Sequence, residues 1–160
     1  MIVNVRGRRW NKAIGSQEEK IMDRIKALAD LLGESVENLR NNGGNYFQVV
    51  DGLEYLVLTD GEADQMSQDY IEDSLWAFTA DFILDTCGLD SSSNVSRSLR
   101  KIHEESCEGC NDFIRALVEG TCGIDEFVNQ AILVDGRGHF LSSYDGEEDE
   151  QGGYFIYCIG

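Results

Sequence analysis

Proline is absent from the 160 residues, so breaks in the chain fall to its 17 glycines and to Asn/Asp-Gly pairs. Long apolar runs are absent too. Nothing approaches the roughly 18 residues of a membrane span, and no hydrophobic stretch of a signal peptide follows Arg6, Arg8 and Arg9. The expected location is cytoplasmic, with no membrane partner. Cysteine is sparse and odd in number, at five, which argues against a complete disulfide framework. Positive charge is scarcest of all. Thirteen Lys plus Arg stand against 30 Asp plus Glu, a net charge of -17 that would repel phosphate over most of the surface and excludes direct nucleic-acid binding.

What is present suits one domain: a 42% hydrophobic share is enough for one core. The expected organisation is a single α+β domain over 1–160, with residues 1–43 a helical N-terminal subregion.

The charge is unevenly placed. Residues 1–40 hold eight bases and six acids, and 97–115 hold four of each. Residues 41–96 carry 11 acids and no Lys or Arg, and 116–160 carry nine acids against Arg137 alone. Such crowding costs stability through self-repulsion, so a reason to keep it is worth seeking.

Ser16-Gln17-Glu18-Glu19 reads as a capping box, followed by Ile21, Ile25, Leu28 and Leu32 at helical spacing until Gly33. Ser35 starts a short helix through Leu39, and Asn41-Asn42-Gly43-Gly44 breaks the chain. Ala29-x-x-x-Gly33 before Ser35–Leu39 looks like the turn of a helix-turn-helix, but its second helix offers Glu34, Glu37 and only Arg40 to a DNA groove. The basic arm Arg6–Lys12, with Trp10, could contact phosphate or pair with the protein's own acids. Tyr46–Val50 and Leu53–Leu58 flank Asp51-Gly52, a type I′ hairpin signal.

Thr59 or Asp60 caps a helix containing Ala63, Met66, Tyr70 and Ile71, and Thr79 caps another to Gly88. Helices are expected at 95–107, 110–118 and 124–130. Phe140–Ser143 and Tyr154–Ile159 then form a second hairpin around an acidic tip. The fold class is therefore α+β, an antiparallel sheet built from hairpins at about 46–58 and 140–159 and covered by helices. Tyr46, Phe47, Tyr55, Trp76, Phe78, Phe140, Tyr154, Phe155 and Tyr157 fit its core.

Two constellations invite chemistry. Cys107-Glu-Gly-Cys110, with His103 four residues before it and Cys122 twelve after it, offers four zinc ligands on paper, but with one knuckle instead of two. Cys87 and Cys158 read as buried small hydrophobes. Asp135-Gly-Arg-Gly-His139 gathers acids and a base, yet Ser142 and Ser143 sit in no nucleophile elbow and no P-loop lysine is present. A turn entering a strand explains that segment, and neither an enzyme nor a dedicated metal or cofactor site is expected. The carboxylates at 145–150 lack the ligand spacing of a calcium loop.

The acidic blocks remain as the functional candidate. Spread evenly, 17 charges over a surface of about 8,000 Å² would be several-fold sparser than the phosphates of a duplex. Local crowding could still resemble one. Glu62, Asp69, Glu72 and Asp73 fall on the solvent side of a helix with the apolar stripe Ala63, Met66 and Tyr70, flanked by Asp60 and Asp64. Asp145, Glu147, Glu148, Asp149 and Glu150 form the tip. These eleven carboxylates are the candidate partner-binding residues.

The segments Gly52-Leu-Glu-Tyr-Leu-Val-Leu-Thr-Asp60, Asp73-Ser-Leu-Trp-Ala-Phe78 and Asp135-Gly-Arg-Gly-His-Phe-Leu-Ser-Ser-Tyr-Asp-Gly-Glu-Glu148, followed by Tyr154-Phe-Ile-Tyr157, resemble small acidic proteins of bacteriophages and mobile elements. The resemblance spans about two thirds of the chain, brings no catalytic pattern, and is departed from by the ending Cys158-Ile-Gly160. It implies a cytoplasmic protein of a bacterial host cell and, by analogy with phage inhibitors of restriction and CRISPR effectors, an anti-defence role. The expected partner is a host defence protein whose basic DNA- or RNA-binding channel these carboxylates occupy. Two other readings are a phage structural or scaffold-associated protein and a small zinc-binding interaction module.

Overall fold

The computed structural model describes residues 6–160, with side chains from Gln17 onward. The side chains of the Arg6–Lys12 arm and of Ser16 lie outside the described residues. The chain divides into two compact units, one discontinuous (residues 1–63 and 141–160) and one contiguous (64–140). No described helix is long and apolar enough to cross a membrane.

The discontinuous unit is a helix on an antiparallel sheet. Helix α1 (Arg6–Leu32) begins ten residues before Ser16, so the Ser16–Glu19 signature is helix interior, not a start. Its C-terminus falls as expected: Gly33 is left-handed (φ +67°), and the Glu34 amide reaches back to the Ala29 carbonyl at 3.0 Å. The expected helix at Ser35–Leu39 shrinks to a 3-10 turn, Val36–Asn38, and Leu39–Gly43 is strand β1. Residues 35–39 therefore form no recognition helix. Pairing of β1 with β2 (Tyr46–Val49), with Leu39 opposite Val49, satisfies its backbone and buries Leu39.

Strand β2 turns into β3 (Glu54–Leu58), as Asp51-Gly52 signals, but not through a two-residue I′ turn. Gln48 and Glu54 are the last paired residues; only Gly52 has positive φ (+101°), and the Asp51 carboxylate accepts from the Leu53 amide at 3.1 Å. The I′ turn lies elsewhere. Gly152 and Gly153 (φ +61° and +82°) join β4 (Asp149–Gln151) to β5 (Tyr154–Cys158), with Gln151 opposite Tyr154.

Phe140–Ser143 is not the partner of β5: Phe140 and Leu141 end a helix, and the strand comes from the acidic segment itself. Five strands run in the order β1-β2-β3-β5-β4, all neighbours antiparallel. Ile25, Leu28 and Ala29 of α1 pack with Leu39, Phe47, Val49, Val57 and Ile156 of the sheet. Among the expected core aromatics, Phe47 and Tyr157 are fully buried, whereas Tyr46 is exposed.

Helix α2 (Asp60–Asp73) carries the chain into the contiguous unit, which is helical throughout. A 3-10 turn (Leu75–Ala77) leads to α3 (Ala80–Thr86), capped as expected by Thr79, whose hydroxyl accepts from the Phe82 amide at 3.2 Å. Helix α4 (Asn94–Ser106), a 3-10 turn at Cys107–Cys110 and α5 (Asn111–Glu119) follow. Helix α6 (Ile124–Leu141) runs eleven residues past the expected end at Gln130, bent at Gly136 (φ +78°, ψ 158°). Trp76, Phe78 and Phe140 belong to this helical core, with Ile71, Leu75, Leu99, Ile114 and Phe127, and not to the sheet.

Candidate functional site

The candidate carboxylates fall into two groups, those tied to distant parts of the chain or to their own loop and those on the exposed surface. Glu62 belongs to the first. Thr59-x-x-Glu62 makes one half of a capping box, with Glu62 accepting from the Thr59 amide at 2.8 Å and also from its hydroxyl at 2.9 Å. Arg24 of α1, 6% exposed, clamps the same carboxylate with Nη2 at 2.8 and 2.9 Å. Its Nη1 donates to the Val57 carbonyl, and the guanidinium lies 5.3 Å over the Tyr154 ring. Burial alone would raise the Glu62 pKa; the Thr59 amide and the Arg24 pair outweigh it and hold the carboxyl below its ordinary value.

Glu72 is likewise structural. Arg115 of α5 holds it with Nη1 2.6 Å from Oε2, and Gln68 donates to it at 2.8 Å. Arg115 Nη2 and Asn111 Nδ2 both donate to the Glu72 carbonyl, at 2.8 and 3.0 Å, while Asn111 Oδ1 accepts from the Trp76 backbone amide. The hydrogen bonds from Arg115, then Gln68, pull the Glu72 pKa down. Asp64 pairs with Arg137 at 2.9 Å. At the tip, Asp145 lies 2.6 Å from the Ser142 hydroxyl and accepts from the Glu147 amide at 3.0 Å; these bonds lower its pKa. Tyr157 donates to Glu148 at 2.5 Å.

The second group remains. Glu147, Asp149 and Glu150 are exposed on or beside edge strand β4. Asp69 and Asp73 are exposed one turn apart on α2, Asp69 touched only by Gln65 among the described residues, and Asp60 is exposed in the first turn. The helix stripe also differs from expectation. Its buried face is Ala63, Ser67 and Ile71, and Tyr70 is 54% exposed, because the four-residue step from Ala63 runs through Ser67.

The four paper zinc ligands do not converge. His103 Nε2 lies 2.7 Å from the Trp76 carbonyl, the Cys110 thiol donates to the Cys107 carbonyl at 2.9 Å, and Cys122 Sγ sits 3.8 Å from Cys87 Sγ. Among the described residues no three His, Cys, Asp or Glu side chains form a metal-holding group. Cys87 and Cys158 are buried, as expected. Asp135–His139 is not a turn entering a strand but the bent end of α6, where the exposed His139 ring stands edge-on to Phe140 at 5.0 Å.

The sequence reading missed an aromatic groove in the contiguous unit. Tyr70, Phe78, Phe82, Asp135, His139 and Phe140 line an open space of about 320 Å³. Phe78 stacks on Phe82 at 5.3 Å, and Tyr70 lies 6.1 Å from Phe140. The available signal was Leu133-Val134 ahead of Asp135, two side chains left 77% and 65% exposed. Taking residues past Gln130 out of the helix hid it.

The chain matches no protein-family model, no curated protein and no solved structure. Its function rests on the geometry above.

Proposed function

We propose that the protein is a non-enzymatic inhibitor that docks on a basic nucleic-acid-binding surface of another protein, as an anti-CRISPR or other anti-defence protein of a phage would dock on a host defence complex. The observation that carries this reading is the sorting of its carboxylates. Arginines pair with Glu62, Asp64 and Glu72, while Glu147, Asp149 and Glu150 are exposed on or just before a short edge strand. Acids on an edge discourage strand addition. The four consecutive acids at 147–150, with -17 overall, also supply a field that speeds encounter with a cationic channel.

The test is a pull-down from a bacterial lysate at about 0.15 M and at about 1 M salt, across which the screening length falls from about 8 to about 3 Å. The expected result is capture of a nucleic-acid-binding complex at low salt, its release at high salt, and loss of capture by the triple reversal Glu147→Lys, Asp149→Lys, Glu150→Lys. Capture that ignores both salt and the reversals overturns the reading. Co-purification with virion components points instead to a phage scaffold role.

A further inference from the structure

The groove in the contiguous unit combines features that select for one kind of side chain. Its walls include aromatic rings: Phe78 stacked on Phe82, Phe140 6.2 Å from Phe78, and the half-exposed Tyr70 beside Phe140. Asp135 lines it with an exposed carboxylate, and no Lys or Arg lines it. The surrounding field is negative. Residues 64–140 hold 15 acids against five bases, and each base has its own partner within the unit: Arg97 on Asn94, Arg100 on Asp81, Lys101 near Glu105, Arg115 on Glu72 and Arg137 on Asp64. An anionic ligand would be repelled, and a neutral apolar one would leave the field unused.

A cation over ring faces is attracted by their quadrupole, more strongly where water is displaced. Guanidinium fits best. It is planar, stacks on aromatic faces, buries its aliphatic stem on apolar surface such as Val134, and offers a fork of donors to a carboxylate such as that of Asp135. Lysine presents a more strongly hydrated point charge without that fork.

We propose that this groove receives an arginine side chain of the basic partner, held between the Tyr70, Phe78 and Phe140 rings and the Asp135 carboxylate. This rests on the docking reading given above and adds the anchor it lacks, since interface energy concentrates in a few aromatic and arginine contacts and not in exposed charge. The edge carboxylates then steer, and the groove holds.

The experiment is an NMR titration of the full chain with three tripeptide amides, Gly-Arg-Gly, Gly-norleucine-Gly and Gly-Glu-Gly, following aromatic side-chain and backbone amide signals. Gly-Arg-Gly should shift Tyr70, Phe78, Phe82 and Phe140 saturably. Asp135→Asn should weaken it by about tenfold, the scale of one charge-assisted hydrogen bond. Tyr70→Ala should weaken it comparably, with both variants shown folded by circular dichroism. An equal response to the norleucine peptide, or shifts confined to residues 147–150, overturns the proposal.

The same variants in the lysate pull-down separate the two readings. If Tyr70→Ala and Asp135→Asn capture what the unaltered chain captures, the groove is not the anchor but docking stands. If the unaltered chain captures no basic protein, docking fails, and the peptide titration still decides whether the groove takes arginine.

Discussion

Arg115 Nη1 stands 2.6 Å from Glu72 Oε2, across 43 residues of chain, and that contact removes Glu72 from any binding surface. The pair ties α2 to α5 inside the contiguous unit, with both side chains less than a third exposed. Glu72→Gln should therefore destabilise the protein by about 1 kcal/mol at neutral pH, the scale of a partly exposed, hydrogen-bonded ion pair. The Glu72 pKa is lowered in the folded state, so the stabilisation is present above the unfolded value near 4.5 and is lost as pH falls below it. Denaturant melts of both proteins from pH 7 to pH 3 should show the gap closing; a constant gap would rule out ionisation as its source.

Ser67 on the buried face of α2 has no solvent exposure, and its hydroxyl has no hydrogen-bond partner among the described residues. An unsatisfied buried hydroxyl costs more than it returns. Ser67→Ala is expected to raise stability by about 1 kcal/mol. A loss of stability in urea melts would mean that the hydroxyl has a partner.

Neutralising Glu147, Asp149 and Glu150 together to Gln should leave the melting temperature unchanged or higher, because these exposed acids contribute mutual repulsion. Calorimetry showing a clear drop would instead give them a place in the fold.

Among the five cysteines, Cys107 alone is exposed, and Cys87, Cys110 and Cys158 are buried. Burial pushes the Cys87 and Cys110 thiols up, which keeps them from the reactive thiolate form. Timed iodoacetamide labelling with peptide mass spectrometry should modify Cys107 first and Cys87 and Cys110 only on unfolding. Early labelling of Cys110 would contradict its burial.

Gly136 bends α6 in a conformation, φ +78° and ψ 158°, that side chains with a Cβ rarely adopt, although nothing lies within 4 Å of a Cβ placed there. Gly136→Ala should thus cost about 1–3 kcal/mol through backbone strain alone. A melt within error of the unaltered protein would mean that the bend is not fixed.

The parts of the fold legible in the sequence were those written in local chemistry: the Gly33 stop, the β2–β3 hairpin, the Thr79 cap and α2 itself. The errors share a cause. Asn41-Asn42-Gly43-Gly44 signals a break in the chain but not what precedes it, and long-range pairing of Leu39 with Val49 makes that a strand. Residues 145–150 looked like a loop because acids are poor strand formers, but a three-residue edge strand needs only one partner and tolerates charge. Past Gln130 the helix runs on to a break at Gly136 and resumes to Leu141, and Asp135, Gly136 and Gly138 mask it in the sequence. The eleven candidate carboxylates were visible, but their division was not, since Arg24 and Arg115 lie 38 and 43 residues from the acids they hold.

Strand β5 pairs with β3 in the register Leu58 opposite Phe155, with the entire contiguous unit between them in sequence. Loop closure over such a distance is thermodynamically mild, at about 0.6 kcal/mol per doubling of length. Its effect is on timing. During synthesis residues 64–140 leave the ribosome with all their helical partners in hand, whereas β3 must wait with one side unpaired until Tyr154–Cys158 emerges. Nascent chains halted after Phe140 should already contain the helical core, and a template strand that any passing edge could occupy.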